Sequence, residues 1–315
     1  MTHIFNLDQI KKVLPTLDIV KDLEEGFIAY SQRQVVVPPV GELSFEDPPG
    51  DTHIKYGYIK GDDYYVIKIA SGFYDNPKIN LSSNSGLMLL FSQKTGVPAS
   101  ILLDEGFLTD VRTAVAGEIC AKYLAPRNIH RIGVFGTGVQ ARMQVEYLKS
   151  ISDCKDIIVW GRNRSGLDVY KRDMQEIGYA VQTTQNAKEV ADSCNMIVTA
   201  TPAKSPLLHA GQIRKGTHIT AMGSDTLEKQ ELDSEILQTA DIVVADSIEQ
   251  CMLRGEIHKA LEAGLLNKED IFELGNVIID KELQRTSADQ ITVADLTGVA
   301  VQDAQIAKAV YEALR

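Results

Sequence analysis

The rhythm of apolar segments after Asn128 constrains the fold of this chain more than any other feature. Short apolar stretches, "RIGVFG", "DIIVWG", "AVQTT", "NMIVTAT", "THITAMG" and "DIVVAD", follow one another with amphipathic segments between them. Strands that alternate with helices in this way build an open parallel sheet with helices on both faces. The pattern therefore predicts a doubly wound, Rossmann-type α/β domain over residues 120–295.

The sequence before this domain has a different rhythm. Residues 17–34 have helical periodicity. Apolar and polar residues alternate in residues 53–59, 64–70, 87–92 and 99–103. Turn sequences such as "KGDD" separate the alternating stretches, which is typical of an antiparallel sheet. One more helix is predicted from about Thr109 to Leu124, and another from about Val299, which we expect to pack onto the N-terminal part. Residues 1–119 and 296–315 are thus predicted to form a smaller α+β domain.

Composition and charge argue against several classes of protein. The chain has 315 residues, 44% hydrophobic and 24% charged, which suffices for two folded domains. Its formal net charge of −11 disfavours nucleic acid or an anionic membrane as a partner. No apolar run approaches the length of a membrane span, and the N-terminus lacks a signal-peptide core.

Cysteine and histidine usage argues against a metal site. The four cysteines are far apart with no CxxC pair, and the six histidines form no HxxxH or HxxE pattern. We therefore expect a reduced, cytoplasmic compartment and no metal ion.

A glycine-rich turn follows the first strand of the predicted Rossmann domain. Residues 136–141, "GTGVQA", match the GxGxxA pattern after an apolar strand and before an amphipathic helix. Gly136 allows a tight turn, Gly138 lets a pyrophosphate approach the backbone, and Ala141 keeps strand and helix close. This turn, which includes Thr137, is therefore predicted to bind a dinucleotide. The alternative is a tight strand–helix turn without a ligand.

The end of the second strand indicates which dinucleotide is bound. Strands at this position usually offer an acid to the ribose 2′-hydroxyl of NAD, whereas this chain has Gly161 and then Arg162, Asn163 and Arg164. An acid would repel the 2′-phosphate of NADP, and an arginine would bind it. Gly161, Arg162 and Asn163 are therefore predicted to accommodate NADPH, with NADH as an alternative. Arg162 could otherwise stack on the adenine or be a solvated surface residue.

Arg112 is a candidate for binding an anion. In "LTDVRTAVAG", Thr109 is the predicted N-cap, which places Arg112 in the first helical turn. A cation is unfavourable there unless a carboxylate or phosphate binds at the same helix end. The alternative is a surface ion pair of Arg112 with Glu105 or Asp110.

Lys68 is a second candidate, because it lies in an apolar strand between Ile67 and Ile69. A half-buried lysine requires a partner, which a substrate carboxylate would supply. The alternative is a strand lysine that faces solvent. Lys55, in "HIKYG", is open to the same two interpretations.

Asp225 follows a strand at the carboxyl edge of the predicted parallel sheet, within "ITAMGSDTLEKQEL". Ligands bind at that edge in this architecture, and a carboxylate close to a nicotinamide could carry a proton to or from a substrate nitrogen. The alternative, compatible with that role, is that Asp225 caps a helix formed by "TLEKQEL".

Taken together, these segments resemble the ornithine cyclodeaminase/μ-crystallin family over nearly the whole chain. The resemblance rests on separated motifs in the family's order: "VIKIASG", "LTDVRTAVAG", "GTGVQA", "MGSD", "RGEI" and "LTGVAVQDA". It implies a homodimer of two-domain subunits. The N-terminal part with the C-terminal helix would bind substrate and form the dimer, and the Rossmann domain would bind the cofactor.

The resemblance also implies roles for individual residues. Lys68 and Arg112 would clamp a substrate carboxylate, and Asp225 would be the acid/base that acts with Lys68 in catalysis. Leu296 and Thr297 match the loop that closes over nicotinamide and substrate. The positions that match cofactor contacts of the family are Ser83, Arg112, Val139, Gln140, Thr201, Met222, Gly223, Ser224 and Lys229.

Departures from the family pattern bear on the reaction. Cyclodeaminases carry an arginine where this chain has Gly41 and an acid where it has Gly161, and Lys55 is a candidate to replace the missing arginine as a substrate ligand. Cyclodeamination returns the hydride to its own substrate, whereas NADPH is the usual source of net reducing power. Arg162 therefore favours a net reductase.

One stretch narrows the expected substrate. The sequence "HIKYGYIKGDDYYVIKIASGFYDNP" is similar to Δ1-pyrroline-2-carboxylate reductases, which implies reduction of that small cyclic imino acid to L-proline, or of Δ1-piperideine-2-carboxylate. Three other activities in the family stay open. They are ornithine cyclodeamination, an alanine-dehydrogenase-like reaction of pyruvate with ammonia, and NADPH-dependent ligand binding without catalysis, as in μ-crystallin.

Overall fold

Two compact units make up the structure. The computed structural model describes residues 2–73 and 75–315. Unit 1 consists of the chain up to Thr113 together with Val299–Arg315, and unit 2 is Ala114–Gly298. The sequence analysis assigned substrate binding and dimerisation to residues 1–119 with 296–315, and cofactor binding to residues 120–295. This division of the chain by function stays a prediction.

A largely antiparallel sheet forms the framework of unit 1. Its elements begin with β1 (His3–Asn6), α1 (Leu7–Val13), α2 (Ile19–Ser31), β2 (Val35–Val36), β3 (Gly41–Phe45), β4 (Gly50–Ile59), β5 (Tyr64–Phe73), β6 (Asn84–Ser92) and β7 (Pro98–Leu103). In the described part of the chain, the strand order is β1-β7-β6-β5-β4-β2, with β3 also paired to β4. The pairs among β4, β5, β6 and β7 are antiparallel, and β1 is parallel to β7. The predicted first helix and antiparallel strands are thus confirmed, with small differences at their ends.

The helix α3 (Phe107–Leu124) begins two residues before the predicted start. The backbone turns through positive φ angles at Glu105 and Gly106, and Asp104 Oδ2 accepts a hydrogen bond from the Leu108 amide at 2.8 Å. Asp104 thereby takes the role that the sequence analysis assigned to Thr109, and the prediction of Thr109 as N-cap is wrong. Arg112 consequently lies in the second turn of α3, where the helix dipole acts on it less strongly.

Unit 2 alternates strands and helices as predicted. Its elements are β8 (Ile132–Phe135), α4 (Val139–Tyr147), β9 (Asp156–Trp160), α5 (Arg164–Glu176), β10 (Ala180–Thr184), α6 (Ala187–Ser193), β11 (Met196–Thr199), β12 (Lys204–Leu208), β13 (His218–Ala221), β14 (Gln230–Leu232), α7 (Ser234–Thr239), β15 (Ile242–Ala245), α8 (Ile248–Cys251), α9 (Gly255–Glu262), β16 (Ile271–Glu273), α10 (Leu274–Ile279) and β17 (Thr292–Asp295).

The main sheet of unit 2 is parallel in every strand pair described. Its order is β10-β9-β8-β11-β13-β17-β15-β16. The chain runs outward from β8 to β10 and then returns to place β11 on the other side of β8. Ligands bind at such a reversal, at the carboxyl ends of the strands. The predicted Rossmann-type sheet is confirmed.

The last helix, α11 (Ala300–Leu314), belongs to unit 1 and contacts α2, β4 and β5. Its close approach to α2 depends on Gly26, since a Cβ there would lie 2.9 Å from Gln305 Cγ. The predicted packing of this helix onto the N-terminal part is confirmed. In residues 2–73 and 75–315, no helix combines the length and apolarity needed to cross a membrane.

Candidate active site

Unit 1 gathers basic side chains around one buried carboxylate. This basic cluster consists of Lys55, Lys68, Arg112 and Asp303. Lys55 on β4 lies directly opposite Lys68 on β5, so both side chains are on the same face of the sheet. Arg112 comes from α3 and Asp303 from the first turn of α11.

Asp303 pairs with two of the basic residues at once. Its Oδ2 lies 3.2 Å from Lys68 Nζ, and its Oδ1 lies 3.0 Å from Arg112 Nε. Lys68 is only 2% exposed and Arg112 only 6%, so a solvent-facing Lys68 and a surface Arg112 are both excluded. Arg112 also donates from Nη1 to Gln302 Oε1 at 2.9 Å. The Gln302 Nε2 atom is buried and has no hydrogen-bond partner among the described residues, so it could serve a bound ligand.

The electrostatics of this cluster leave it ready to accept an anion. Burial and the nearby Arg112 lower the pKa of Lys68 from 10.5 to about 7, although Asp303 opposes the shift. Burial raises the pKa of Asp303, but Lys68 and Arg112 outweigh that effect, and its pKa is lowered overall. Asp303 is therefore ionised, and an added carboxylate would favour the charged form of Lys68.

Sequence analysis did not assign a role to Asp303. The signal was present, since the acid lies in "GVAVQDAQIAKAV", a segment made mostly of small and apolar residues. An acid in a helix that buries most of its surface requires a basic partner. Asp104, also buried and unassigned, has its pKa raised by burial while its backbone hydrogen bonds oppose the shift.

The glycine-rich turn of unit 2 connects β8 to α4. Gly136 has φ of 114°, and a Cβ there would lie 2.6 Å from Ala200 O. A Cβ on Gly138, the N-cap of α4, would meet no atom within 4 Å. Open space beside the first turn of a helix, which includes Val139 and Gln140, fits a phosphate bound by free backbone N–H groups.

Arg142, which sequence analysis did not single out, holds this turn in place. Its guanidinium donates to the carbonyl oxygens of Thr137 and Gly138, and its Nη2 donates to Asp173 Oδ2 at 2.9 Å. The carbonyl oxygens are thus engaged on one side of the turn, which leaves the amide groups to bind an anion.

The residues that were predicted to select the cofactor follow directly after β9. A Cβ on Gly161 would lie 3.0 Å from Thr137 Cγ2 and 3.1 Å from Leu167 Cδ2. Asn163 caps α5 by accepting from the Gly166 amide at 2.7 Å. Arg162 is exposed, and no ion pair of its side chain occurs in the described residues.

Two loops follow the neighbouring strands β11 and β13. Thr201 lies in the first loop, and Met222, Gly223 and Ser224 lie in the second, which continues to Asp225. The second loop is closed by two contacts of Lys229. Its Nζ lies 2.6 Å from Asp225 Oδ1, and its carbonyl oxygen accepts from Ser224 Oγ at 2.7 Å.

Asp225 is not a helix N-cap. The segment "TLEKQEL" forms a turn and then β14, which pairs with β12 through Lys204 and Gln230. The alternative that Asp225 caps a helix is therefore wrong. Strand pairing overrides the helical propensity of Leu, Glu and Lys in this segment.

The loop after β17 is anchored by Asp246. Thr297 Oγ1 donates to Asp246 Oδ1 at 3.1 Å, and the Gly298 amide donates to Asp246 Oδ2 at 2.6 Å. The hydroxyl hydrogen of Thr297 is thus already used within unit 2. Leu296, its neighbour, is buried.

The predicted site residues fall into two groups. Lys55, Lys68 and Arg112 come together in unit 1, and Ser83, predicted to contact the cofactor, also lies in unit 1, just before β6. The remaining predicted residues line the carboxyl edge of the parallel sheet in unit 2. Across the described ranges, no group of three or more His, Cys, Asp or Glu side chains is arranged to hold a metal ion.

Known proteins resemble this chain over almost its full length. A protein of Sinorhizobium fredii named as an uncharacterized cyclodeaminase is 39% identical over 308 residues, covering 96% of this chain and 93% of that protein. The structure of an archaeal alanine dehydrogenase dimer with bound NAD matches with a TM-score of 0.88 at 32% identity, covering 99% and 95% of the two chains. The Δ1-pyrroline-2-carboxylate reductase of Thermococcus litoralis, solved with NADH and L-proline, matches with a TM-score of 0.90 at 26% identity, covering 99% and 97%.

The sequence model of one protein family matches residues 2–315 of this chain. The two solved structures contain NAD and NADH, respectively. The glycine-rich turn and the parallel sheet of unit 2 predict the same kind of ligand for this chain. The chain belongs to the ornithine cyclodeaminase/mu-crystallin family.

Proposed function

We propose that this protein is an NADPH-dependent reductase that converts Δ1-pyrroline-2-carboxylate to L-proline and also accepts Δ1-piperideine-2-carboxylate. The observation that carries the proposal is the buried pairing of Lys68 and Arg112 with a single carboxylate, Asp303. Two buried basic groups opposite one acid favour the entry of another anion. A small imino acid supplies that anion as its carboxylate.

The preference for NADPH rests on the end of β9. A Cβ at position 161 would lie 3.0 Å from Thr137 and 3.1 Å from Leu167, so an acidic side chain there would require its neighbours to move. Arg162 is exposed beside it and could bind the 2′-phosphate by charge-assisted hydrogen bonds. The related structures contain NAD or NADH, so the choice of NADPH is specific to our proposal.

A nicotinamide dinucleotide held by the glycine-rich turn at Gly138 and Val139 would supply the hydride that reduces the C=N bond. Lys68 and Arg112 would hold the substrate carboxylate and so orient the carbon of that bond, which is the main contribution to rate that we assign to them. Asp225 would provide the proton that converts the imine to an iminium ion. Lys229, 2.6 Å from the Asp225 carboxylate, could return a proton to it.

The decisive experiment follows NADPH absorbance with purified Δ1-pyrroline-2-carboxylate and repeats the assay with NADH. Fast, imine-dependent loss of NADPH, with NADH at least roughly tenfold less efficient, is the expected result. Ammonia release from ornithine with NAD, and no imine reduction, would instead identify a cyclodeaminase. NADPH binding without turnover of any substrate would identify a binding protein of the μ-crystallin kind.

A second candidate is the reductive amination of pyruvate to alanine. It is favoured by the 32% identity with the archaeal alanine dehydrogenase, which exceeds the 26% identity with the Thermococcus reductase. Pyruvate offers the same single carboxylate to Lys68 and Arg112. The same assay with pyruvate and ammonia distinguishes the two reactions, and a higher kcat/KM for pyruvate would replace the first proposal.

We further propose a homodimer in the cytoplasm. Leu43 and Phe45 of unit 1 are exposed and lie two residues apart on β3, so their side chains are on the same side of the strand. We place the contact between subunits there, because grouped apolar side chains on a surface mark association sites. The four cysteines are all unpaired, which supports a reducing compartment.

A further inference from the structure

We propose that Glu231 is a positioning residue that fixes the two loops to which we assign the nicotinamide and the proton donor. This inference rests on the proposed function, because it takes unit 2 as the cofactor-binding part. Glu231 lies on β14, at the end of the segment "TLEKQEL", has been given no role so far, and its side chain is fully buried.

The carboxylate of Glu231 bridges two loops of unit 2. Its Oε1 accepts hydrogen bonds from the amide and the hydroxyl of Thr201, at 2.6 and 2.7 Å, and its Oε2 accepts from the amide of Gly223 at 2.9 Å. Thr201 follows β11 and Gly223 follows β13, and these strands are adjacent in the sheet. One side chain therefore sets the separation of the two loops at the sheet's carboxyl edge.

The packing around Gly223 shows how closely the loops approach. A Cβ at this position would overlap the carbonyl oxygen of Thr201 and would lie 2.5 Å from Glu231 Oε2. Only glycine permits this approach. Asp225 follows two residues later, so a displacement of Gly223 would be passed to the proposed proton donor.

A second buried acid holds Glu231 itself. The backbone amides of Glu231 and Leu232 donate to the two carboxylate oxygens of Glu256, at 2.7 and 3.0 Å. Glu256 thus positions the strand, and Glu231 positions the loops. Burial raises the pKa of Glu231 to about 7 despite its hydrogen bonds from Thr201, and it raises that of Glu256 well above the usual range. A carboxylate kept at such a cost is accounted for by the donors it satisfies.

Glutamine cannot reproduce the bridge. Three donor groups converge on the two oxygens of Glu231, and the amide of glutamine replaces one oxygen by a further donor. At least one loop amide would then lose its acceptor, and that loop would shift.

The test measures dinucleotide binding directly, from the fluorescence of NADPH and of NADH titrated with the full-length protein. For Glu231→Gln we expect dissociation constants for both dinucleotides that are roughly tenfold higher, a factor equal to about 1.4 kcal/mol. Glu118→Gln is the control, because Glu118 is also buried and its side chain accepts a hydrogen bond from Ser150 Oγ, which lies in neither of the two loops. We expect this control to lose thermal stability to a similar degree and to change the dissociation constants less than threefold.

A double-mutant cycle with Thr201→Val separates positioning from general destabilisation. If Glu231 acts through Thr201, the effects of the two substitutions on dinucleotide binding will not add. In steady-state kinetics, Glu231→Gln should raise the KM for NADPH and lower kcat, and leave the KM for the imine unchanged. A purely structural role would predict additive effects and equal losses in both glutamine variants, and either result would overturn the inference.

The outcomes also separate this inference from the proposed function. A wild-type protein that binds neither dinucleotide contradicts the proposed function itself. A wild-type protein that binds them, with Glu231→Gln unaffected, contradicts only the role of Glu231. If Glu231→Gln does not fold, Glu231→Asp keeps the carboxylate but shortens its reach by one carbon, so it should bind both dinucleotides roughly threefold more weakly than the wild type. Binding by Glu231→Asp equal to that of the wild type would then overturn the inference.

Discussion

At the scale of single residues, Asp303 makes the burial of two basic side chains tolerable. Lys68 and Arg112 would be costly in the interior of unit 1 without a carboxylate partner, and Asp303 contacts both. The pairing leaves Lys68 close to its midpoint of protonation at neutral pH, because burial and Arg112 lower its pKa to about 7. Lys68 can therefore respond to the charge of a bound substrate.

Lys68 should make the stability of the protein depend on alkaline pH. Its pKa falls from 10.5 to about 7 on folding, so its contribution to stability is fully present above pH 10.5 and is lost as the pH falls through about 7. The free energy of unfolding of the wild type should therefore rise with pH between about 7 and 10.5. In urea unfolding, Lys68→Met should show no such rise. Between pH 7 and pH 10 the wild type should gain at least about 1.4 kcal/mol over the variant, the equivalent of one pKa unit. The exposed Lys78→Met is the control, and parallel curves for Lys68→Met and the wild type would contradict the prediction.

Arg162 should discriminate between the two dinucleotides. Arg162→Ala removes the proposed partner of the 2′-phosphate, so the dissociation constant of NADPH should rise roughly tenfold while that of NADH changes less than twofold. Arg172→Ala, an exposed arginine on α5, is the matched control. Equal loss of both dinucleotides would mean that Arg162 does not contact the 2′-phosphate.

At the scale of elements, α11 has two tasks within unit 1. It packs against α2 through the close approach at Gly26, and it presents Asp303 to Lys68 and Arg112. The position of the carboxylate therefore depends on the fit between two helices.

Gly26→Val should disturb this fit. The added side chain would collide with Gln305, so we expect a loss of about 1–3 kcal/mol in the free energy of unfolding. A displaced α11 would also move Asp303, so the KM for the substrate should rise severalfold while dinucleotide binding by unit 2 stays the same. Lys21→Val, at an exposed position of α2, is the control, and identical behaviour of the two variants would count against the coupling.

At the scale of the whole molecule, the exposed apolar surface of unit 1 predicts association of two copies. Phe45 on β3 is 42% exposed, and Leu43 on the same strand is also exposed. Phe45→Glu should shift the protein from dimer to monomer in sedimentation equilibrium, because a charge would be buried at the contact. Val169→Glu on α5, also 42% exposed before substitution, should remain a dimer. A dimeric Phe45→Glu would remove β3 from the interface.

Some features of the molecule could be predicted because they depend on local rules. The parallel sheet of unit 2 is visible as buried strands at regular intervals, and the turn at Gly136 needs a positive φ that glycine adopts without strain. The start of α3 was predicted wrongly because Asp104 caps it from outside the helix. The alternative of a helix over "TLEKQEL" was wrong because this segment ends in β14, whose partner β12 is remote in sequence.

The sequence by itself determined the fold class, the glycine-rich turn and the family, since each is encoded in contiguous patterns of residues. Only the tertiary structure decided which side chains meet. Arg112 and Gln302 are 190 positions apart, and Thr201 and Glu231 are 30 apart. No periodicity or local motif records such pairs, because each partner is selected by the packing of elements that are distant along the chain. The basic cluster around Asp303 and the bridge made by Glu231 are therefore properties of the folded protein.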